Sequence, residues 1–280
     1  MTAQLVLVAT PIGNLGDLPP RATEALTAAG LICCEDTRRT GRLLQHAGIV
    51  GKRLAVCNEH TEAARVDDVL AVLDAGADVA VVTDAGTPGI SDPGERLVRA
   101  VLDAGFDVTV VPGPAAFVAA LVASGLPATR FVFDGFLPRS GAARAERLAA
   151  IAAEERTVVL YEAPHRIART MADLLAACGA DRQVAVAREL TKLHETIVRG
   201  TLGSIELGQP RGEYVVVLGG APAAGMSDAP TVAAAIDEAL ARGLSSRDAA
   251  AEVAAAHRVA KRSAYELALE RRRAATTKEG

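Results

Sequence analysis

Three short segments rich in glycine and proline point most directly to chemistry in this sequence. They are Thr10–Asn14, Thr83–Gly94 and Val111–Ala116, and each lies at the end of an apolar run of strand length. Glycine lets backbone N–H and C=O groups approach a ligand, while proline keeps a loop stiff. Ligands of open α/β sheets bind beyond the carboxyl ends of the strands, where such loops converge. We therefore expect the three loops to build one ligand site, with three unrelated tight turns as the alternative.

The glycine spacing excludes the common nucleotide-binding loops. Gly13 and Gly16 do not form a GxGxxG pattern, no acidic residue follows at the ribose-binding distance, and no Walker lysine is present. A ligand held by backbone groups and a carboxylate, without a phosphate-binding lysine, fits a nucleoside that carries no phosphate. S-adenosylmethionine meets this description, although spacing alone does not select it.

The first 125 residues alternate strands and helices. Val66–Ala75 and Leu97–Ala104 are predicted helices, each followed by a glycine. The predicted strands are continuously apolar: Leu5–Ala9, Leu31–Cys34, Leu54–Cys57, Val79–Thr83 and Val108–Val111. Apolar strands separated by helices are typical of a parallel sheet that is covered on both faces. The sequence thus predicts an α/β fold.

The pattern changes from about residue 131. Helices are expected over Ala142–Ala153 and Ile167–Cys178, and strands over Phe131–Phe136, Thr157–Tyr161, Val184–Ala187, Thr196–Gly200 and Tyr214–Leu218. Two of these strands follow each other without room for a crossover helix, which predicts a mixed sheet.

Ala221–Pro230 has the composition of a linker. Three short helices are predicted after it, over Thr231–Arg242, Ser245–Ala256 and Ala260–Arg272, with Ser246 as the N-cap of the second. We expect α/β domains over 1–125 and 126–222, and a linker with a helical domain over 223–280.

Charge and cysteine content narrow the class of protein. The formal net charge is −4, but residues 37–53 are basic, and residues 257–280 carry seven Lys or Arg against three Glu, hence +4. The four cysteines lack the spacing of a zinc site, so we expect no metal and buried free thiols at Cys33 and Cys34.

The sequence shows no secretory signal and no apolar run of the ~18 residues a membrane span needs. We expect a soluble protein of the cytoplasm.

Eight segments occur in a recognisable order: Ala9–Asn14, Glu35–Arg38, Asn58–His60, Asp84–Gly94, Ser124–Pro127, Gly135–Arg139, Tyr161–Arg166 and Arg188–Lys192. In these segments, which span roughly residues 5–218, the chain resembles the tetrapyrrole-methylase type of S-adenosylmethionine-dependent methyltransferases. Within that type it closely resembles the RsmI family, which methylates the 2′-hydroxyl of a cytidine, cytidine 1402, in bacterial 16S rRNA. The last helices resemble the helical extension of this rRNA-modifying branch.

The resemblance implies a cofactor cleft between two α/β domains, with S-adenosylmethionine as methyl donor. It implies cofactor contacts from residues of the glycine-rich loops and of the second domain: Pro11, Asp84, Ala85, Gly86, Ile90, Ala115, Ala116, Tyr161 and Thr191. Ala115 stands where many relatives carry serine, which removes one hydroxyl contact. The resemblance also implies a homodimer.

A ribose 2′-hydroxyl is a weak nucleophile at neutral pH, and a base that accepts its proton during attack would help. Candidates are Glu162, His165, Lys192 and the pair Glu59–His60, and the sequence does not choose among them. Expected RNA contacts come from basic residues at the cleft rim and in the tail: Arg38, Arg139, Arg144, Arg147, Arg166, Lys261 and Arg262.

Two other functions stay open at this point. One is methylation of a corrinoid or tetrapyrrole precursor, or of a protein in the manner of a diphthine methylase. The basic tail and the motifs Glu35–Arg38 and Tyr161–Arg166 argue against it. The other is a helix-turn-helix regulator that senses a nucleoside, with its DNA-binding helices in 245–270. Alanine-rich helices of this kind more often pack against each other than read a DNA groove.

Overall fold

The computed structural model describes residues 3–58, 60–222, 229–257, 259 and 261–278. The chain divides into two compact units, Met1–Gly220 and Ala221–Gly280. Within the described ranges, no helix has both the length and the apolar character that a membrane crossing requires.

The first unit begins with a five-stranded sheet. Its strands are β1 (Gln4–Val8), β2 (Leu31–Cys34), β3 (Leu54–Val56), β4 (Val79–Val81) and β5 (Asp107–Val111). All neighbours pair in parallel in the order β3-β2-β4-β1-β5. This confirms the predicted parallel sheet, with strand ends that differ by one or two residues.

Helices cover both faces of this sheet: α1 (Pro20–Ala28), α2 (Thr37–His46), α3 (Glu62–Asp74) and α4 (Glu95–Asp103). Successive strand residues point to opposite faces, so Val6 packs in one core cluster and Leu5 in the other. Cys33 and Cys34 divide between the two clusters in the same way, which confirms the expected buried thiols. Burial raises the pKa of the Cys33 thiol to about 12 and keeps it protonated.

The second sheet lies in the same unit. It contains β6 (Phe131–Phe136), β7 (Thr157–Glu162), β8 (Gln183–Arg188), β9 (Thr196–Thr201) and β10 (Tyr214–Leu218), in the order β6-β7-β10-β8-β9. Only β6 and β7 pair in parallel, and the other neighbours are antiparallel. The predicted mixed sheet is therefore confirmed.

Three helices accompany the second sheet: α5 (Ala116–Ser124), α6 (Gly141–Ala153) and α7 (Ile167–Cys178). Apolar residues of α6 and α7 fill the core on one face. On the other face, Ala120 and Leu121 of α5 pack with Val159 and Val217, and Ile12 of the first loop joins the same cluster.

Helix α5 follows the last strand of the first sheet yet packs on the second, so it ties the two sheets together. Its almost wholly apolar sequence has no amphipathic period, which is why the sequence did not reveal it. The division into two α/β domains at residue 125 stays a prediction.

The second unit contains the three predicted helices, α8 (Ala229–Ala241), α9 (Ser246–His257) and α10 (Lys261–Lys278), packed around one apolar cluster. The predicted N-cap is wrong by one residue. Ser245 Oγ accepts a hydrogen bond from Asp248 N at 3.1 Å, whereas Ser246 is already helical and its buried hydroxyl has no described partner. Residues 223–228 of the expected linker lie outside the described residues.

Candidate active site

The three glycine- and proline-rich loops meet at the carboxyl edge of the parallel sheet. Thr10 N donates to Gly86 O at 2.8 Å, and Gly86 N donates back to Thr10 O at 3.2 Å. The Thr87 hydroxyl donates to Pro114 O at 3.3 Å, which attaches the third loop. The predicted convergence of the loops is confirmed, and these contacts hold them as one wall.

The long second loop contains strained backbone. Gly86 has φ 101°, a region in which only glycine is relaxed, and a Cβ there would lie 3.5 Å from Ile12 Cγ2. Ser91 adopts φ 60° although it is not glycine. Such strain concentrates at binding and catalytic sites, because the surrounding structure must enforce it.

A cleft of about 450 Å³ opens between this wall and the second sheet. Its volume suits a nucleoside-sized ligand. Nine of the predicted site residues line it: Asp84, Ala85, Gly86, Ile90, Ala115, Ala116, Tyr161, Glu162 and His165. The structure therefore places cofactor candidates from both sheets around one cavity.

Three predicted site residues lie elsewhere. Pro11 lines a smaller neighbouring pocket of about 260 Å³. Thr191 and Lys192 line neither cavity; they follow strand β8 and lie close to Gly13, where a Cβ would approach Thr191 Oγ1 to 2.9 Å. Thr191 has φ 65° and a buried hydroxyl without a described partner, so the segment is strained and polar but stands beside the cleft.

Carboxylates gather on the first wall of the cleft. Glu35, at the end of β2, accepts hydrogen bonds on Oε1 from the Thr83 hydroxyl and from Asp84 N, the latter at 2.9 Å. Asp84 Oδ2 lies 3.3 Å from Arg39 Nη1, whereas Asp84 Oδ1 is buried without a described partner. Asp92 lines the same cleft. Sequence reasoning identified only Asp84. Glu35 comes from a separate segment that reaches the cleft only on folding, whereas Asp92 was passed over although it lies in the same Thr83–Gly94 loop.

The crowding of these acids changes their titration. Burial, followed by the nearby Glu35 carboxylate, raises the pKa of Asp92 to about 6. The same two causes raise the pKa of Asp84, although the Arg39 guanidinium partly opposes them. Carboxylates with raised pKa values gain free energy when a cation binds beside them. The wall is therefore prepared for a positively charged ligand.

Aromatic side chains form the opposite wall. The Tyr161 hydroxyl accepts a hydrogen bond from Phe117 N at 3.3 Å, at the start of α5. Phe133 and Phe136 pack on the Tyr161 ring, with centroid distances of 5.0 and 5.6 Å. Phe136 lines the cleft and remains 52% exposed. Sequence reasoning missed Phe136, although its place in Gly135–Arg139 was a usable signal.

The candidate bases differ sharply in their surroundings. Glu162 is buried, and its oxygens accept from Ala163 N at 2.9 Å and from the Thr170 hydroxyl at 2.6 Å. Lys192 Nζ lies 2.8 Å from both Glu189 and Glu213. His165 is exposed at the cleft.

Burial lowers the pKa of Lys192, but its two carboxylate partners outweigh this and raise the pKa above the usual value, so the amine stays protonated. Glu59 lies outside the described residues, and His60 is exposed but not part of the cleft lining. Of the candidates within the described ranges, His165 is the one with an accessible side chain at the cleft.

Two of the expected RNA-binding arginines form ion pairs and hydrogen bonds with other residues of the protein. Arg144 is only 4% exposed; it lies 2.8 Å from Asp173 and donates to Pro138 O and the Thr170 hydroxyl. An RNA contact from Arg144 is therefore excluded by its burial, which corrects the sequence prediction. Arg166 lies 3.2 Å from Glu162 Oε1 and also donates to Leu137 O, so its charge is largely neutralised there.

The other basic candidates have exposed side chains, and three of them lie beside an acidic residue. Arg38 is 88% exposed beside Asp36, and Arg139 is exposed at the end of the Gly135–Arg139 segment. Arg147 lies 3.0 Å from Asp134. In the second unit Lys261 is exposed, and Arg262 lies 3.0 Å from Glu266 while remaining exposed. Arg39 and Arg42, which sequence reasoning left out, line the smaller pocket next to the cleft.

The described residues contain no group of three or more His, Cys, Asp or Glu side chains arranged to hold a metal ion. The cleft has carboxylates on one wall, backbone groups of small residues at the edge and aromatic rings opposite, a set of groups that fits a cationic organic ligand.

Comparison with characterised sequences places the chain among methyltransferases. The family model of Tetrapyrrole (Corrin/Porphyrin) Methylases matches residues 4–206. Proteins named ribosomal RNA small subunit methyltransferase I match nearly the whole chain. The one from Synechocystis is 44% identical and covers 95% of this chain and 97% of its own, and the one from Mycobacterium bovis is 46% identical and covers 97% and 96%. The Escherichia coli O157:H7 protein of that name is 43% identical, with 95% of each chain covered.

Solved structures support the fold at lower identity. The methyltransferase CobJ superposes with a TM-score of 0.60 at 22% identity, covering 79% of this chain and 95% of its own. A uroporphyrin-III-C-methyltransferase from Thermus thermophilus gives 0.54 at 22% identity, covering 78% and 94%. The predicted fold class, α/β of the tetrapyrrole-methylase type with a helical extension, is confirmed. The chain belongs to the tetrapyrrole (corrin/porphyrin) methylase family and, within it, groups with the ribosomal RNA small subunit methyltransferase I proteins.

Proposed function

We propose that this protein transfers a methyl group from S-adenosylmethionine to the 2′-hydroxyl of a cytidine in 16S rRNA of the small ribosomal subunit. The observation that carries the proposal is the wall of three carboxylates, Glu35, Asp84 and Asp92, facing an aromatic wall across a nucleoside-sized cleft. S-adenosylmethionine supplies a methyl group on a positively charged sulfonium. Its charge fits the carboxylates, and its adenosine fits the apolar interior of the cleft around Tyr161.

The carboxylates contribute to binding more than to the chemical step. During transfer the ribose oxygen bonds to the methyl carbon, the carbon–sulfur bond breaks, and the sulfur keeps the electron pair and becomes neutral. Attraction between the sulfonium and Asp84 is therefore strongest before reaction and weaker afterwards. Such an arrangement favours capture of the donor and release of the product, while orientation of the two reactants supplies acceleration.

The proton of the 2′-hydroxyl needs an acceptor, and His165 is the residue we assign to this role. Its side chain is accessible at the cleft, whereas Glu162 is buried with both oxygens bonded and Lys192 is held protonated. The imidazole side chain is the proton acceptor that enzymes use most often as a general base. His165→Asn should lower kcat far more than it changes donor affinity; equal kcat in the variant would remove the assignment.

RNA would approach the cleft from the side on which helix α2 and the segment after β6 carry arginines. Arg39 and Arg42 line the small pocket next to the cleft, Arg38 is exposed on the same helix α2, and Arg139 is exposed after β6. Phosphate contacts position an RNA without reading its sequence. The exposed Lys261 and Arg262 of the second unit would add contacts of this kind.

A homodimer in the cytoplasm is also part of the proposal. Val118 and Val122 on α5 are 44% and 70% exposed, and they form an apolar surface that a second copy would cover. Light scattering on the purified protein measures the oligomeric state, and a strictly monomeric protein at micromolar concentration would contradict this part.

The test is transfer of a radiolabelled methyl group by the purified protein. Acceptors are small ribosomal subunits that lack the modification, naked 16S rRNA and a precorrin. Label should enter RNA, and nuclease digestion should recover it as 2′-O-methylcytidine. Label in the precorrin alone would favour the second function, a small-molecule methylase. Specific DNA binding without transfer to any acceptor would favour the nucleoside-sensing regulator.

A further inference from the structure

The aromatic residues of this protein are few and unevenly placed. The chain has eight, namely five Phe, three Tyr and no Trp. Five of the eight lie in one cluster beside the cleft: Phe117, Phe131, Phe133, Phe136 and Tyr161. Four of these rings are less than 40% exposed, whereas Phe136 is 52% exposed and lines the cleft. A half-exposed ring that lines a cavity offers an open face on which a flat ligand can stack.

A β-bulge brings Phe136 to this position. Along β6, Phe133 pairs with Val159 and Gly135 with Leu160, so Asp134 is an extra residue without a partner on β7. In a regular strand residues 133 and 136 would point to opposite faces, because side chains alternate with period two. Because of the bulge, Phe136 points to the same face of the sheet as Phe133, and both rings pack on Tyr161. Bulges next to active sites commonly re-aim a side chain in this way.

Two further contacts fix the bulge. Gly135 has φ 62°, and a Cβ there would approach Ser91 Oγ to 3.2 Å, so β6 lies against the Thr83–Gly94 loop. The side chain of Asp134 is 11% exposed and lies 3.0 Å from Arg147. Phe136 is therefore presented to the cleft by a strand that is held in place on both sides of the bulge.

We infer that the Phe136 ring is a stacking platform for the base of the acceptor nucleotide. Base–aromatic stacking is the usual way in which proteins hold an unpaired RNA base, and it requires an exposed ring face at the site. The inference rests on the proposed function and adds to it the claim that the acceptor is unstacked from its neighbours. We assign the more deeply buried Tyr161 to the methyl donor, which would occupy the interior of the cleft.

The experiment compares Phe136→Ala and Phe136→Tyr with Phe131→Ala as the matched control. Phe131 lies on the same strand in the same cluster and is 38% exposed, but it is not among the residues lining the cleft. Methyl transfer is measured on small subunits that lack the modification, and donor affinity is measured by calorimetry. Phe136→Ala should lower kcat/KM for the subunit by about ten- to a hundredfold. Phe136→Tyr and Phe131→Ala should stay within about threefold of the wild type, and donor affinity should not change.

A second substrate separates stacking from a general structural effect. Subunits reconstituted with rRNA that has an abasic acceptor keep the 2′-hydroxyl but offer no base. The wild type should lose activity on them by the same factor that Phe136→Ala loses on the normal subunit, and Phe136→Ala should lose nothing further. If Phe136→Ala loses activity on the abasic substrate by the full factor again, the inference is overturned. A fall in donor affinity in Phe136→Ala would also overturn it, because the Phe136 ring would then contact the adenine of the methyl donor. If the wild type transfers no methyl group to RNA at all, the proposed function and the inference fail together.

Discussion

Arg39 holds one oxygen of Asp84 at 3.3 Å and leaves the other buried without a described partner. An unpaired carboxylate oxygen in a cleft costs free energy that a ligand can recover by donating to it or by placing positive charge beside it. We therefore expect the methyl donor to bind beside this carboxylate.

Asp84→Asn should therefore weaken binding of S-adenosylmethionine. The change keeps size and removes charge, and we expect roughly a tenfold loss, or about 1.4 kcal/mol. S-adenosylhomocysteine lacks the sulfonium charge, so its affinity should fall less. Calorimetry with both ligands measures the difference. Asp103→Asn, at an exposed pair with Arg99, is the control. Equal losses for the two ligands would show that Asp84 does not face the sulfonium.

Asp92 should make donor binding depend on pH. Its pKa is raised to about 6, mainly by burial and then by Glu35, and a bound cation would lower that pKa again. Affinity should consequently rise between pH 5 and pH 7, with release of a proton on binding. Calorimetry in buffers of different ionisation enthalpy detects that proton. A flat profile in the wild type, or an unchanged slope in Asp92→Asn, would contradict the prediction.

The same residue should lower stability at neutral pH. A folded-state pKa above the unfolded value means that the folded protein binds more protons between about pH 4 and pH 6. The contribution of Asp92 to stability is thus present at low pH and is lost as pH rises through about 6. Asp92→Asn should have a higher melting temperature than the wild type at pH 7, and the gap should shrink towards pH 4.

Arg42 should contribute to RNA affinity through a contact with a phosphate of the RNA backbone. It is exposed and lines the small pocket beside Asp84, and its removal leaves the Arg39–Asp84 pair untouched. Arg42→Gln should weaken RNA binding and reduce the slope of log K against log salt by about 1. Arg99→Gln, an exposed arginine on α4, is the control. Filter binding over a salt series measures both slopes, and identical slopes would refute the contact.

Arg144→Ala should damage the fold rather than RNA recognition. The guanidinium is buried and makes charged hydrogen bonds to Asp173, Pro138 and Thr170, so its loss should reduce the free energy of unfolding by roughly 2–3 kcal/mol. Urea denaturation measures this. Folded variant protein at low temperature should still show the wild-type salt slope for RNA.

Removal of residues 226–280 should weaken RNA binding without changing donor affinity. The tail from 257 onward has a net charge of +4, and the cleft is lined wholly by residues of the first unit. Lys261→Gln with Arg262→Gln in the full chain keeps the helices and tests charge alone. If the truncated protein binds RNA with full affinity, the helices serve only to pack together.

Much of the fold could be predicted because its signals are local. Continuous apolar strands, glycines after helices and stiff loops at strand ends identified the parallel sheet and the wall of the cleft. Helix α5 was missed because an almost wholly apolar segment has no period, and Arg144 was misread because its burial depends on Asp173, far away in sequence. The place of Glu35 in the acidic wall could not be predicted either, because Glu35 joins Asp84 and Asp92 of the Thr83–Gly94 loop only after folding.

The contact at Gly13 limits how the sequence can change. The hydrogen atom at that position occupies the place where a Cβ would lie 2.4 Å from Lys192 Cγ and 2.9 Å from Thr191 Oγ1. Any larger residue at 13 would push apart two segments that belong to different sheets. Alanine at position 13 would therefore require the side chains of Thr191 and Lys192 to move, although none of these three positions lines the cleft.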